Sequence, residues 1–376
     1  MSEHNLLRVL EIGTEGAAGY AGKLFSRWGA EVVRVDTGSS LAVPTRLARA
    51  TDLYLHAGKA RIAVNLENTG SLEVLRRLAD HCDVILVDGA APALDEIGFE
   101  TLGGARSQVR VAITPFGLTG PHRDWQGASN VLLAMGGQTY LMGDEDRAPL
   151  TMPGRYLAYQ AGQFAYTAAV ACLRNHAKAD DPLPTDNLDV SQYEVAQTLH
   201  QFTNVMWTFG GNVRSRHGNN FGVIHPITMY PCRDGWFAVN ADPIFWDTFT
   251  VMLNRPELAA DPRFNSVAAR VENAEALDAI VAEELGPKSR AELMELGQVK
   301  CRMPTGVLST LRELLDDPHL TARDFWQTLD AGDLQLKTPG SPFRFVGEAM
   351  PSPGTPRPPV DATEWLAATA GERGHA

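Results

Sequence analysis

A strand, a glycine turn, a helix and a second strand follow one another in the first 35 residues. Leu6 to Glu11 is a short apolar run closing on Gly13-Thr14-Glu15-Gly16. Residues 17–28 then show helical spacing, Gly29 stops them, and residues 31–35 resume as an apolar strand. This is one βαβ unit, whose crossover obliges the two strands to run parallel. The pattern repeats with a strand over 61–66, a helix over 71–81 and strands over 83–87 and 109–114. A parallel sheet flanked by helices, of the α/β class, is the expected frame.

Beyond residue 150 the chain turns helical. Residues 159–175 are alanine-rich, and 190–207 are apolar at helical spacing. The stretch 226–240 reads as a hairpin with Arg233-Asp234-Gly235 at its turn. A helical region follows from Phe245 to about Gln298, broken by Pro256, Pro262 and Pro287, and residues 303–308 read as a strand returning to the first layer. The segment PSPGTPRPP at 351–359 predicts an extended strap or linker.

At 376 residues the chain is long enough for about two or three domains. Thirty-three basic against 45 acidic residues give a net charge of −12, which argues against nucleic acid and anionic membrane as partners. No apolar run approaches the ~18 residues of a membrane span, and the amino terminus lacks a signal-peptide layout, so a cytoplasmic protein is expected. The four cysteines, at 82, 172, 232 and 301, form no C-x-x-C pair, which disfavours a disulfide scaffold or zinc ribbon.

Common catalytic layouts are missing. No H-x-x-x-H occurs among the ten histidines, no G-x-S-x-G is present, and Cys172 reads as a core cysteine. The turn at Gly13, Gly16, Gly19 and Gly22 does not have dinucleotide spacing, and Glu15 sets negative charge where a pyrophosphate would rest. Small residues packing a helix on a sheet explain it better. Leu55-His-Ala-Gly58-Lys59-Ala-Arg61 places two cations around a glycine and is a candidate phosphate anchor, weighed against a solvated strand edge.

Taken together, these landmarks resemble the family III CoA-transferases of the carnitine and bile-acid type, from about residue 8 to about residue 347. The resemblance is carried by VLEIGTEGAAGYAGKLFSRWGAEVVRVD, by Leu55 to Lys59, by Asn65-Leu66 with Gly70, by DVILVD and by Ile97-Gly98. It continues through Ile113 to Pro121, Arg216-His-Gly-Asn219, Tyr230 with Asp234-Gly235, DDPHLTARDFW and PGSPFRF. It implies a large doubly wound parallel-sheet domain formed by both chain ends and a smaller inserted α+β domain. The corresponding boundaries are 1–200, a linker at 201–225, a small domain at 226–310, and a return over 311–376. It further implies two protomers interlocked as rings.

In such transferases an Asp attacks an acyl-CoA thioester and passes through a mixed anhydride to an aspartyl-CoA thioester. Coenzyme A or acyl-CoA is then substrate, with no tightly bound cofactor. The motif around that Asp corresponds to Tyr156-Leu-Ala-Tyr-Gln-Ala-Gly162. Aligned on Gly162, Ala158 holds the nucleophile's place; aligned on Tyr156, the Asp is missing. The resemblance assigns CoA contacts to Leu55, Gly58, Lys59, Arg61 and Asp88. Asp95-Glu96 stand where an arginine is common, and should repel CoA phosphates. The proton-moving pair of the family's racemases corresponds to Ala128 and Ser129, while Asp242 matches a racemase acid. Glu15 and Asp242 are therefore the substitute catalytic carboxylates to examine, with Glu194 and the 144–146 loop behind them. Three functions follow: an acyl-CoA lyase, hydratase or isomerase without an aspartyl intermediate; a silent subunit paired with an Asp-bearing paralogue; or an ordinary transferase with a displaced nucleophile. Either a homodimer or a heteromer is compatible with these readings.

Overall fold

A computed structural model describes residues 6–13, 16–37, 45–66, 68, 70–104, 106–349 and 351–370. The chain divides into two compact units, one from Met1–Thr139, Thr151–Gly211 and Pro318–Ala376, the other from Tyr140–Leu150 and Asn212–Asp317.

The first unit opens with β1 (Arg8–Gly13), α1 (Ala17–Arg27), β2 (Glu31–Thr37), α2 (Arg46–His56) and β3 (Ala60–Val64). It continues with α3 (Ser71–Asp80), β4 (Val84–Asp88), α4 (Ala91–Glu96), β5 (Val109–Thr114) and α5 (Ser129–Met135). After residue 150 come α6 (Tyr156–His176), β6 (Asp186–Ser191), α7 (Gln192–Thr198) and α8 (Gln201–Gly210). Alternate strand residues feed two cores. Val9, Val84, Val109 and Val111 face α1, α5 and α6 on one side, while Leu10, Ile85 and Ala112 face α3 and α4 on the other. Fully buried parallel strands explain why these stretches read as near-continuous apolar runs.

The second unit contains β7 (Ile227–Cys232) and β8 (Gly235–Asn240), joined at Arg233-Asp234 as the hairpin reading expected. Helices α9 (Trp246–Met252), α10 (Val267–Glu272), α11 (Ala274–Leu285) and α12 (Arg290–Met294) pack Phe249, Leu277, Val281 and Leu293 around Phe237. The strand expected at 303–308 is β9 (Thr305–Val307). It does not return to the parallel sheet but pairs antiparallel with β8. A short helix, α13 (Leu311–Leu315), ends this unit.

The chain re-enters the first unit through α14 (Pro318–Ala322), the hairpin β10 (Trp326–Asp330) and β11 (Gln335–Pro339), then β12 (Pro359–Val360) and α15 (Ala362–Ala370). The large sheet has the order β12-β3-β2-β1-β4-β5-β6, all parallel, with the winding order of successive strands reversing between β1 and β4. This is a doubly wound sheet.

Two expectations need correction. Residues 186–191, read as part of a helical region, form β6 because β5 presents an open edge to them, and the helix over 190–207 breaks into α7 and α8 at Leu199-His200. The proline-rich tail is more than a strap, since it ends in β12 against β3 and carries Trp365 and Leu366 into the second core.

Candidate functional site

In an open doubly wound sheet, ligands settle beyond the carboxyl ends of the strands where the strand order reverses. Here that place lies between β1 and β4, whose last residues Gly13 and Asp88 are direct neighbours in register. Asp88 is buried, and its carboxylate accepts a hydrogen bond from Ala18 N–H at 2.9 Å. It thereby satisfies an orphan donor in the first turn of α1. A Cβ at residue 13 would overlap that carboxylate, so glycine is required there. The helix end that could receive a phosphate thus already holds an acid. Glu15 lies outside the described residues.

Helix α6 approaches α1 closely through a seam of small residues, Ala17, Ala18 and Ala21 against Ala158, Ala161 and Ala165. A Cβ at Gly162 would collide with the carbonyl oxygen of Ala17. Ala158 sits in this seam at 3% exposure, its methyl group part of the first core. The next residue, Tyr159, stacks on Tyr20 at 4.7 Å. Arg155, at the amino end of α6, reaches the turn at Gly16, where a Cβ would stand 2.6 Å from its guanidinium.

Beyond β5, residues 115–127 form a loop held by Thr114, whose hydroxyl accepts from Gly117 N–H at 2.7 Å, and by Asp189, which accepts from Leu118 N–H at 2.8 Å. The loop carries a shelf in which His122 stacks on Trp125 at 3.7 Å, with Phe116 edge-on to both. His122 Nδ1 has no hydrogen-bond partner. Sequence reasoning missed this shelf, because no fixed spacing marks aromatic residues in a loop. Arg123 in the same loop binds both oxygens of Asp95 at 2.6 Å. The repulsion expected from Asp95 is therefore largely cancelled.

The expected cationic anchor is turned inward. Lys59 is wholly buried, donating to the Glu11 carboxylate and, at 2.8 Å, to the Gly19 carbonyl. Arg61 pairs with Asp36 at 2.7 Å and Asp52 at 3.0 Å, and Arg34 with Asp36 at 2.6 Å. His56 lies 3.3 Å from Glu11 and also meets Arg34. Leu55 is a core residue, and Gly58 adopts φ 86° where its N–H meets Thr355 O at 2.9 Å. Leu55, Gly58, Lys59 and Arg61, the expected CoA contacts, are thus engaged within the protein itself. They lie at or just before the entrance to β3, at the opposite edge of the sheet from Asp88, and their cations are consumed by buried acids.

This network accounts for the glycine spacing along α1. A Cβ at Gly22 would press on Glu11 and Lys59, and one at Gly19 would come within 2.9 Å of the His56 ring. Burial alone would raise the Glu11 carboxyl, but Lys59, His56 and Arg34 outweigh it and hold the acid well below the usual range. Burial, helped by Lys59, pushes His56 down to about 4. Lys59 itself is pushed down to about 8 by burial, against the pull of Glu11.

Asp242 belongs to the second unit, where it precedes α9 and accepts from Ile244 N–H at 3.1 Å, a local turn role. Glu194 is at the start of α7, its N–H bound to Ser191 Oγ at 3.2 Å. Asp144 also falls in the second unit, close to Gly218.

A family model described as CoA-transferase family III matches residues 6–363. Succinyl-CoA–D-citramalate CoA-transferase of Chloroflexus aurantiacus is 30% identical over 331 residues, covering 84% of this chain and 81% of that protein. Succinyl-CoA:(R)-benzylsuccinate CoA-transferase subunit BbsE of Thauera aromatica is 27% identical, covering 87% and 84%. Among solved structures, a CAIB/BAIF family protein from Brucella suis superposes with a TM-score of 0.79 at 23% identity, over 97% of this chain and 98% of its own, a likeness of fold.

Proposed function

This chain belongs to CoA-transferase family III, and from that premise we propose that it is the non-nucleophilic subunit of a heteromeric transferase acting on acyl-CoA thioesters. The observation that carries this reading is Ala158. Aligned on Gly162, the place of the attacking carboxylate falls on Ala158, whose methyl group is packed into the seam with α1; aligned on Tyr156, the Asp is missing. A subunit without a nucleophile needs a partner that has one. Several relatives are named as subunits, among them BbsE and the beta subunit of the succinyl-CoA–L-malate CoA-transferase of Chloroflexus aurantiacus.

The surface of α8 supports a permanent partner. Val205, Trp207 and Phe209 are exposed, Phe209 at 90%. Val205 and Phe209, one turn apart, share a helix face with Phe202, which is also exposed, and such an apolar stripe favours burial against another chain. The proposed partner is a family III paralogue that bears the Asp. In it the carboxylate attacks the thioester, while this chain completes the assembly.

A lyase, hydratase or isomerase would instead draw on a carboxyl group such as Glu15, which lies outside the described residues, or Asp242. Asp88 is committed to α1 and Asp242 to its own turn. The test is turnover by the chain alone and together with an Asp-bearing paralogue, using succinyl-CoA and a dicarboxylate acceptor. Trapping with hydroxylamine or borohydride, followed by peptide mass spectrometry, locates any covalent intermediate. Transfer only in the mixture, with the adduct on the paralogue, is expected. An adduct on an Asp or Glu of this chain overturns the reading, as does conversion of an acyl-CoA by this chain alone.

A further inference from the structure

The amino-terminal edge of the large sheet holds a cavity of about 600 Å³, formed within the first unit alone. Its walls are the last turns of α1, with Lys23, Ser26 and Arg27, the entrances to β2 and β3, and the strap over residues 352–357. The strap is seated firmly. Arg27 donates to Pro351 O at 3.2 Å, Gly58 N–H donates to Thr355 O, and a Cβ on Gly354 would stand 2.6 Å from Gly58 Cα. Arg357 completes the wall from the strap side.

The charge of this wall differs from that of the ion network around Glu11 beside it. In the adjoining ion network the cations are matched, as Lys59, Arg34 and Arg61 are by Glu11, Asp36 and Asp52. Around the cavity, Lys23, Arg27 and Arg357 have no carboxylate within 4 Å among the described residues. The single acid of the wall, Glu31, is engaged by Arg8 at 2.8 Å. Nor are these cations spent on the carbonyl end of α1. Arg27 goes to Gln327, Pro351 and Pro339, and Lys23 to the Tyr54 carbonyl and ring face. Burial, with Arg27 and Lys59 nearby, pushes the Lys23 ammonium down to about 6, and burial also lowers Arg27. A bound anion would reverse both effects.

We propose that this cavity binds a small organic phosphate, gripped by Lys23, Arg27 and Arg357, at the edge of the sheet opposite the β1/β4 crevice. Two guanidinium groups, with an amine that takes up its proton as the anion binds, suit a ligand of charge about −2 to −3 better than a monocarboxylate. The volume falls within the usual range for small-molecule sites. Ser26 and Thr355 add hydroxyl groups to the wall. Because Arg357 rides on the strap, the ligand would tie the carboxy-terminal segment to α1.

The test is calorimetry of the full chain, with its partner if one co-purifies, using inorganic pyrophosphate, ADP and succinate as probes, each with and without saturating CoA. Pyrophosphate and ADP are expected to bind in the presence of CoA and more tightly than succinate. Arg357→Ala, on an exposed strap residue, is expected to weaken both at least ~10-fold, the factor equivalent to 1.4 kcal/mol. Lys23→Gln should do the same, while the control Arg76→Ala on α3 leaves both unchanged. Absence of pyrophosphate binding at ~1 mM overturns the proposal. So do displacement by CoA, preference for succinate, or an unchanged affinity in Arg357→Ala.

Discussion

At the scale of single residues, the buried ion network around Glu11 gives the clearest consequence. His56 is held near 4, whereas an unfolded chain takes up that proton near pH 6.5. As pH falls from about 6.5 toward 4, the unfolded state gains a proton that the folded state refuses, and stability is lost across that window. Below about 4.5 the stabilising Glu11 carboxylate adds to the loss, since the unfolded chain protonates that acid first. The His56 contribution amounts to ~3 kcal/mol at most. His56→Gln should flatten the dependence of Tm on pH between 6.5 and 5, and a curve identical to that of the parent chain contradicts this account. Ala158→Asp tests the other buried position. A carboxylate in the alanine seam has no partner, so a loss of about 2 kcal/mol or more is expected in denaturant unfolding. CoA transfer by the single chain should remain absent; a large gain in transfer rate contradicts the non-nucleophilic reading. The glycines at 19 and 22 were legible as packing residues, but their purpose was not. Their neighbours Glu11, His56 and Lys59 come together only through the sheet register and the helix laid over it.

At the scale of elements, Asp88 joins β4 to α1. Asp88→Ala leaves Ala18 N–H unmatched and should cost about 1 kcal/mol, the usual worth of a helix cap, measured as a shift in the urea midpoint at constant slope. A shift indistinguishable from zero removes the capping role. Strands β1, β4 and β5 were readable because they are buried on both faces and bounded by glycine or polar turns. β6 was not readable. Its polar residues alternate with half-buried ones on an edge, and pairing with β5 decides its conformation. Three residues of β9 carry too little pattern to show which sheet they join. In the candidate site, Asp88 came from the family resemblance as a CoA contact, and its capping of α1 was not legible; nor were the acids that pair with Lys59 and Arg61. A cation beside a glycine looks alike in sequence whether it faces a ligand or a buried acid.

At the scale of the whole molecule, the exposed apolar face of α8 and the buried alanine at 158 lead to one expectation. Co-expressed with its Asp-bearing paralogue, this chain should elute as a stable complex in equal amounts, and Phe209→Glu should disrupt it while leaving thermal unfolding of the chain nearly unchanged. A complex unaffected by Phe209→Glu moves the interface elsewhere. The order of strands has another consequence, one felt during synthesis. The first unit is built from three separated stretches, and its outermost strand β12 and the helix carrying Trp365 come last. While the ribosome is still making residues 212–317, the emerged β3 has an open flank and α3 lacks its covering indole. The nascent protein must carry that sticky border through most of its translation, which makes the interval before residue 360 appears the time when chaperone protection matters most.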